Sequence, residues 1–305
     1  MINNENVCAI VVTYNPDIEH FKLVLKSISS QVNKVIIVDN NSSSQSDVMI
    51  STVSEEKNIH WVGLSENIGL AKAQNMAIQM ASKERFSHVA LFDQDSIISD
   101  AFIYSLVESE KKLIEDGYNV AAVGPSFFDP VSGESYPATR YRGPFIERVR
   151  LGDDPIDATF IIASGSLIRI EVLDKIGQML DGFFIDYIDV EWSLRARSKG
   201  YSVFIAPQAR MAHTIGDRRL SIFGRTISVH SPLRRYYLVR NSFLMLRLGY
   251  VPFGYKLRES FFNVIRTFIG FLTAEQKTIF CKYFLMAFRD GLLGRSGPCP
   301  KIYKS

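Results

Sequence analysis

The stretch VCAIVVTYNP, residues 7–16, sets the fold of this chain. Its first seven residues are apolar or β-branched without alternation, which is the pattern of a strand buried on both faces of a sheet. The stretch KVIIVD, residues 34–39, repeats this pattern, and residues 17–30 between the two carry apolar side chains at helical spacing. A helix that joins two doubly buried strands is typical of a parallel sheet.

The same alternation continues through the first 125 residues. It predicts strands at residues 59–63, 87–92 and 120–123, and helices at residues 67–82 and 101–116. We therefore expect an α/β fold, in which a mostly parallel, Rossmann-like sheet is flanked by helices on both faces.

The middle of the chain is less regular. Residues 126–158 are rich in Pro, Gly and Arg, and we expect them to form a long surface loop, a kind of loop that is usually functional. Shorter signals then predict a strand at residues 159–164, helices at 171–176 and 189–199, and a strand at 202–206.

The last part of the chain has helical spacing throughout. Helices are predicted at residues 233–248, 256–271 and 274–293. We predict two domains on this basis, an α/β domain of residues 1–230 and a helical, basic C-terminal region of residues 231–305.

Composition is that of an ordinary globular protein, with 47% hydrophobic and 22% charged residues. The N-terminus has no basic region and meets a proline at Pro16, and no apolar run reaches about 18 residues, so we expect neither a signal peptide nor a transmembrane helix. The three cysteines (Cys8, Cys281, Cys299) lack the spacing of a zinc site or a disulfide framework. These features favour a cytosolic protein.

Charge is divided unevenly along the chain. Residues 1–209 carry 28 acidic and 18 basic side chains, whereas residues 210–305 carry four acidic and 17 basic ones. A basic half of this kind is typical of proteins that meet phosphates, anionic lipid or nucleic acid. The alternative is that the basic part packs against the acidic part.

Polar residues follow several of the predicted strands, at residues 13–15, 39–41, 93–95 and 164–165. In open parallel sheets, ligands bind beyond the carboxyl ends of the strands, so these residues are the candidate site. The chain has neither a GxGxxG after the first strand nor a GxxxxGK[ST], which excludes the usual dinucleotide and P-loop phosphate cradles.

Two carboxylates, Asp93 and Asp95, stand in the sequence FDQDS at the end of a predicted buried strand. In an extended backbone they point to the same side and can approach one cation, and hard oxygen ligands suit Mg²⁺ or Mn²⁺. The alternative is a solvated turn that caps the next helix. Asp39, which ends the second strand, is a candidate to accept an N–H from a pyrimidine base, or else it forms an ordinary Asx turn.

Three further acids, Asp186, Asp189 and Glu191, lie among aromatic residues in FFIDYIDVEWSLR, residues 183–195. Apolar surroundings raise the pKa of a carboxylate and a helix N-terminus lowers it, so one of these acids is a candidate general base. Alternatively, they complement the helix dipole. His213 is a candidate to complete a metal site with Asp93 and Asp95, or it is structural.

Seven segments together resemble family 2 glycosyltransferases of the GT-A fold. They are VVTYNP (11–16), VDNNSS (38–43), ENIGLAKAQNMAI (66–78), FDQDS (92–96), ASGSLIR (163–169), FFIDYIDVEWSLRA (183–196) and RRYYLVRN (234–241). Their order is that of the family, and they span about three quarters of the chain. FDQDS, the DYIDVEW block and RRYYLVRN are most similar to bacterial rhamnosyltransferases of O-antigen and cell-wall polysaccharide assembly.

The resemblance implies roles for individual residues. It implies a nucleotide-sugar site that consists of Thr13, Asn15, Asp39, Asn67, Gly69, Lys72, Asp93 and Gln94. A divalent cation, Mg²⁺ or Mn²⁺, would be held by Asp95, Asp93 and His213. Asp189 matches the catalytic base, although the family has two adjacent acids there and Ile188 precedes Asp189 in this chain. That departure leaves Asp186 and Glu191 as lesser candidates for the base.

The implied reaction is an inverting transfer of L-rhamnose from dTDP-β-L-rhamnose to a hydroxyl of a lipid-linked glycan acceptor. One base without a second carboxylate as nucleophile indicates single displacement. The alternatives are another donor, such as UDP-galactofuranose or UDP-glucose, a nucleotidyltransferase, or a non-catalytic membrane-binding module. The nucleotidyltransferase would need a glycine-rich basic loop, which VVTYNPDIEH does not offer.

The C-terminal segment of residues 261–293 mixes aromatic and aliphatic residues with lysine and arginine. Basic amphipathic helices of this kind suit an anionic membrane surface, so we expect a peripheral protein at the inner face of the cytoplasmic membrane. The alternatives are a helical cap on the sheet domain or the interface of a homo-oligomer. Nucleic acid is disfavoured, because the aromatic residues fall on apolar stripes rather than on a stacking platform.

Overall fold

The computed structural model describes residues 6–43, 58–129, 133, 135–212, 219–222, 225–228 and 231–300. Its strands, in chain order, are β1 (Val7–Thr13), β2 (Lys34–Asp39), β3 (Ile59–Gly63), β4 (His88–Asp93), β5 (Val120–Phe128), β6 (Ala138–Arg142), β7 (Phe145–Val149), β8 (Ile156–Ala158), β9 (Ser166–Arg169), β10 (Ser202–Ala212), β11 (Arg219–Ile222) and β12 (Arg225–Ser228). Its helices are α1 (Ile18–Ser29), α2 (Leu70–Lys83), α3 (Phe102–Glu115), α4 (Ile170–Ile176), α5 (Ile188–Ser198), α6 (Pro232–Arg247), α7 (Phe253–Thr273) and α8 (Lys277–Leu292).

The main sheet has eight strands in the order β3-β2-β1-β4-β9-β5-β10-β8. The pairs β1–β2, β1–β4, β2–β3 and β5–β10 are parallel. Strand β9 runs antiparallel between β4 and β5, and β8 runs antiparallel to β10 at the edge. The prediction of a mostly parallel sheet with flanking helices and a helical C-terminal region is confirmed.

The register of the central strands brings their polar ends level. Thr13 of β1 pairs with Asp39 of β2, and Val12 pairs with Asp93 of β4. The side chains that follow these strands therefore gather at one edge of the sheet, as the sequence predicts.

Burial of β1 on both faces explains its unbroken apolar sequence. Ile10 and Val12 pack in one buried cluster with residues of α2 and α5, whereas Ala9 and Val11 pack in another with residues of α1 and α3. A strand in this position has no solvent-facing side, so it shows no alternation.

The prediction of a long loop at residues 126–158 is largely wrong. Strand β5 continues to Phe128, β6 and β7 form a separate antiparallel pair, and β8 joins the main sheet beside β10. The arginine and glutamate side chains of β6 and β7 obscured their alternation. One of them, Arg140, donates from Nε to the carbonyl of Asp157 over 2.7 Å and so connects this pair to β8.

The prediction of a strand at residues 159–164 is also wrong, because β9 begins only at Ser166. The chain turns just before it, with the amide of Ser166 donating to the carbonyl of Ala163 over 2.9 Å. Gly165 has a φ of +79°, and a Cβ there would lie 2.7 Å from the ring of Pro125. Glycine thus permits the turn through which β9 enters the sheet antiparallel to β4.

The C-terminal helices share the protein core. Tyr236 and Tyr237 of α6 pack with Ala287 of α8 in one buried cluster, while Met245 and Tyr255 extend into the larger cluster beside the sheet. The domain boundary near residue 230 stays a prediction. Of the described helices, α1 to α8, none combines the length and apolar character needed to span a bilayer.

Helix α6 also holds residues 183–191, which we call the acidic segment. Asn241 is fully buried, and its side-chain amide donates to the carbonyls of Phe183, Ile185 and Asp186 at 3.0, 2.8 and 3.0 Å. These bonds fix a backbone that turns sharply, and for the carbonyl of Phe183 they add to the bond from the amide of Ile185 over 2.8 Å.

We expect Asn241→Ala to lower the free energy of unfolding by roughly 2–4 kcal/mol, because a buried carbonyl left without a donor costs about 1–3 kcal/mol. Urea unfolding followed by fluorescence measures this loss. The matched control is Asn6→Ala, which removes a single amide bond, 3.2 Å to the carbonyl of Arg85, at an exposed position. Equal losses for the two variants would contradict the role assigned to Asn241.

Candidate functional site

A cleft of about 590 Å³ opens at the carboxyl ends of β1 and β4, between the start of α2 and the acidic segment. It brings together most of the predicted site residues. Those that line it are Thr13, Asn67, Gly69, Asp93, Gln94, Asp95 and Asp189. Asn15, Asp39 and Lys72 are not among its described lining residues, and His213 lies outside the described residues.

Asp39 is buried beneath the cleft and organises its floor. Its carboxylate accepts a hydrogen bond from the hydroxyl of Thr13 over 2.8 Å and another from the amide of Ser42 over 2.9 Å. Asn15, with a φ of +49°, accepts from the amide of Ser43 over 2.8 Å. Both side chains therefore tie the end of β1 to the loop after β2. Lys72 lies on the exposed side of α2.

Gly69 lets the start of α2 approach the acidic segment. It has a φ of +88°, and a Cβ there would lie 2.6 Å from the ring of Phe184 and 2.9 Å from its carbonyl oxygen. The next amide, that of Leu70, donates to this carbonyl over 2.6 Å. Asn67 supports the turn by accepting from the amide of Gly69 over 3.0 Å. A side chain at position 69 would push the two walls of the cleft apart.

The end of β4 places two carboxylates in the cleft. The amide of Asp93 donates to the hydroxyl oxygen of Ser164 over 3.1 Å, and Gln94 accepts from the amide of Tyr14 over 2.8 Å. These contacts hold the backbone around Asp93 and Asp95. Burial, and then repulsion from Asp95 and Asp189, raises the pKa of Asp93 to about 7. Ionisation of Asp93 is therefore disfavoured in the cation-free cleft, and a bound cation would favour it.

The donor set fits a hard divalent cation that takes part of its coordination from a ligand. Asp93 and Asp95 line the same cleft. Among the residues that the structure describes, no group of three or more His, Cys, Asp or Glu side chains is placed to hold a metal ion. Mg²⁺ commonly binds through one or two carboxylates together with waters and substrate phosphates. The two carboxylates therefore suit a cation that arrives with a phosphate-bearing molecule.

Asp189 faces the two carboxylates from the first turn of α5. Its Oδ1 accepts from the amide of Val190 over 2.8 Å and its Oδ2 from the amide of Ala163 over 3.3 Å. Burial raises the pKa of Asp189 and outweighs these amide bonds, which lower it. A carboxylate with a raised pKa inside a cleft is suited to accept a proton from a bound hydroxyl.

The two other acids of the segment differ in their surroundings. Asp186 lines the cleft and pairs with Arg234 of α6, with 3.3 Å between its Oδ1 and the arginine Nη2. Glu191 is fully buried, where it accepts from Arg195 over 2.8 and 3.0 Å and from the hydroxyl of Tyr250. Glu191 therefore stabilises the fold and has no access to a ligand in the cleft.

The role of Arg234 was not predicted from the sequence, although this residue stands in the segment RRYYLVRN. Arg234 lies 48 residues from its partner Asp186, and no periodic pattern connects them. The sequence feature that could have indicated a role for Arg234 is the segment RRYY at the start of a helix, in which two arginines precede two aromatic residues. Phe184 was missed in the same way; its ring stacks on Tyr237 with 5.0 Å between centroids.

Comparison with known proteins identifies the family of this chain. Residues 8–177 match the sequence profile of the family described as glycosyl transferase family 2. The chain is 34% identical to the dTDP-rhamnosyl transferase RfbF of Shigella flexneri over 297 residues, which cover 96% of this chain and 98% of that protein.

Solved structures share the fold. The mannosyltransferase PcManGT of Pyrobaculum calidifontis, in complex with GDP-Man and Mn²⁺, superposes with a TM-score of 0.57 at 15% identity, covering 95% of this chain and 87% of that one. Residues 1–349 of S. aureus TarS with UDP-GlcNAc give a TM-score of 0.55 at 17% identity, covering 95% and 81%. The GT-A fold predicted from the sequence is thereby confirmed, and the match to the family profile together with the nearly full-length similarity to the Shigella protein shows that this chain belongs to glycosyl transferase family 2.

Proposed function

We propose that this protein transfers L-rhamnose from dTDP-β-L-rhamnose to a hydroxyl group of a glycan acceptor. The observation that carries the proposal is the 34% identity to a dTDP-rhamnosyl transferase over 96% of the chain. The cleft supports it with two carboxylates at the end of β4, Asp93 and Asp95, and a further carboxylate on α5, Asp189.

Asp189 is the proposed general base. It would accept the proton of the acceptor hydroxyl as that oxygen attacks the anomeric carbon of the sugar. Its raised pKa makes it a better proton acceptor near neutral pH than an ordinary aspartate. Because no second cleft carboxylate is placed as a nucleophile in this scheme, a single displacement with inversion follows.

Asp95 and Asp93 are the proposed ligands of Mg²⁺ or Mn²⁺, and His213 stays a predicted third ligand. When bound, the cation would supply positive charge against the nucleoside diphosphate that leaves. Two solved structures that share this fold contain Mn²⁺, those of the mannosyltransferase PcManGT and of GalNAc-T7. Thr13, Asn67, Gly69 and Gln94 would line the nucleotide-sugar pocket.

We expect dTDP-rhamnose to bind tightly in the presence of Mn²⁺, and more tightly than UDP-galactose, UDP-glucose or UDP-galactofuranose. Isothermal titration calorimetry with and without Mn²⁺ measures this preference. Binding should be lost in Asp95→Ala and kept in Asp189→Ala, because only the first removes a proposed cation ligand. A preference for a UDP-sugar would overturn the rhamnosyl assignment, and no binding of any nucleotide sugar would favour a non-catalytic protein.

We expect Asp189→Asn to lower kcat by roughly 10²- to 10⁴-fold with little change in donor affinity, because general base catalysis contributes about that much. Steady-state kinetics measures the effect. The matched control is Asp174→Asn on the exposed side of α4, which should keep full activity. An active Asp189→Asn enzyme would exclude Asp189 as the base.

The raised pKa of Asp93 makes the stability of the cation-free protein depend on pH. Between about pH 4, the ordinary pKa of aspartate, and pH 7, the folded protein holds a proton that the unfolded chain has released. Stability therefore falls as pH rises through this window and stays low above it. We expect Asp93→Asn to raise the thermal midpoint at pH 8 by ~5 °C and to have a smaller effect at pH 5. The same gain at both pH values, by differential scanning fluorimetry, would contradict this assignment.

We also propose that the protein acts peripherally at the cytoplasmic face of an anionic membrane, where a lipid-linked saccharide acceptor is held. The support is an exposed apolar stripe along α7, made of Phe253, Leu257, Phe261, Val264, Phe268 and Leu272, which are 54–78% exposed. The excess of basic residues in the C-terminal part of the chain complements anionic lipid.

We expect Leu257→Asp to weaken binding to vesicles of phosphatidylglycerol and phosphatidylethanolamine roughly tenfold, since it removes apolar contact and adds a repelled charge. Cosedimentation at low salt measures binding. The matched control is Leu23→Asp on α1, because Leu23 is 56% exposed and Leu257 is 54% exposed. A wild-type protein that stays in the supernatant contradicts the membrane proposal, and a Leu257-dependent dimer in ultracentrifugation would assign the stripe to a homo-oligomer.

A further inference from the structure

The cleft is rich in negative charge. Asp93, Asp95, Asp186 and Asp189 all line it, and Arg234 is the one lysine or arginine among the lining residues that the structure describes. A nucleoside diphosphate placed in such a cleft needs positive groups near its phosphates. A cation held by Asp93 and Asp95 would supply positive charge on the side of β4. A positive group on the opposite side would have to come from α6.

Arg234 is placed differently from the other arginines of its segment. Arg235 is buried and donates from Nη2 to the carbonyl and side-chain oxygens of Asn263, both at 2.8 Å. Arg240 is also buried, where it donates to the carbonyl of Phe183 over 3.2 Å. Arg234 instead has a side chain that is 40% exposed and lies at the wall of the cleft. Arg235 and Arg240 thus stabilise the fold, whereas Arg234 lines the cleft.

The contact between Arg234 and Asp186 is long. The arginine Nε and Nη2 lie 3.4 and 3.3 Å from the same oxygen, Oδ1 of Asp186. A strong arginine–carboxylate pair uses two parallel bonds to two oxygens at about 2.7–2.9 Å. A phosphate offers several charged oxygens to the planar guanidinium and can accept two parallel bonds of this kind.

The position of Arg234 is fixed by its helix. It stands in the first turn of α6, and its amide donates to the hydroxyl of Ser231, the residue that caps the helix, over 3.2 Å. Tyr237, three residues on, stacks on Phe184 of the acidic segment. The positive charge of Arg234 also reaches across the cleft, where it lowers the pKa of Asp93 against the effects of burial and of the other carboxylates. A charged group between Asp93 and Arg234 would interact electrostatically with both side chains.

We propose that Arg234 binds the diphosphate of the nucleotide-sugar donor, moving from Asp186 Oδ1 to a phosphate oxygen, and that it stabilises the diphosphate as it leaves. This inference rests on the proposed function, namely that the cleft takes a nucleotide sugar. In the reaction the bond between the anomeric carbon and the β-phosphate oxygen breaks, and its electron pair stays on that oxygen. The acceptor oxygen bonds to the anomeric carbon and its proton passes to Asp189. Arg234 meets the charge that develops on the leaving oxygen and exchanges no proton.

The test compares ligands that differ in phosphate content. Binding of dTDP, dTMP and thymidine is measured by calorimetry with Mn²⁺ for the wild-type chain, Arg234→Gln and Arg234→Lys. We expect Arg234→Gln to raise the Kd of dTDP roughly tenfold or more, as for the loss of a charge-assisted hydrogen bond, and to leave thymidine unchanged. Arg234→Lys should restore part of the loss, because it keeps the charge without the planar fork.

The matched control is Arg197→Gln. Arg197 pairs with Asp157 at 2.7 Å and its side chain is 34% exposed, but it does not line the cleft. Its loss should leave the Kd of dTDP unchanged. Thermal midpoints of all variants show whether they fold.

Kinetics separates the donor from the acceptor. We expect Arg234→Gln to raise the KM for the donor and lower kcat, with the acceptor KM unchanged. An effect on the acceptor KM alone would overturn the inference, as would a variant that binds dTDP like the wild type or one that loses thymidine and dTDP equally. If the wild-type chain itself binds no dTDP, the proposed function fails and the inference with it, an outcome that the wild-type titration identifies by itself.

Discussion

The backbone of the acidic segment is a constraint on which the whole cleft depends. Phe184, Asp186 and Tyr187 all have φ near +65°, a conformation that costs of order 1 kcal/mol or more for each residue other than glycine. Asn241 offsets this cost with its bonds to three carbonyls, and the start of α2 adds the bond from Leu70 to Phe184. The hydroxyl of Tyr187 donates to Glu259 of α7 over 3.1 Å. Asp186 and Asp189 reach the cleft because the sheet and the C-terminal helices hold this segment from opposite sides.

The central strands and the first site residues could be predicted because they follow from local sequence. A doubly buried strand has an unbroken apolar pattern, and parallel strands must end at one edge, so Asp93 and Asp95 fall where the pattern places them. Strands β6 and β7 were missed because their charged residues conceal the alternation. The roles of Arg234 and Asn241 were out of reach, since each depends on a partner about fifty residues away along the chain. The position of Glu191 could not be predicted either. It lies two residues from Asp189 in sequence, but its side chain is buried, where it pairs with Arg195.

The two halves of the chain contribute opposite charges to different tasks. The sheet half supplies the carboxylates of the cleft, and the basic half supplies Arg234. Within the basic half, Glu259 pairs with Arg266, and Asp290 pairs with Arg289 and Arg295. Those acids are thus used inside the helical region itself. The division explains how a chain with a net charge of only +3 combines an anionic cleft with a basic C-terminal part.

The bonds of Asn241 have a consequence for the order in which the protein matures. A chain is synthesised from its N-terminus, so the sheet and the acidic segment leave the ribosome before residue 241 does. Until then the carbonyls of Ile185 and Asp186 lack the side-chain amide of Asn241. The strands β1 to β12 are all synthesised before the residue that holds this wall of the cleft. The bonds that hold the acidic segment are therefore completed only with the C-terminal helices.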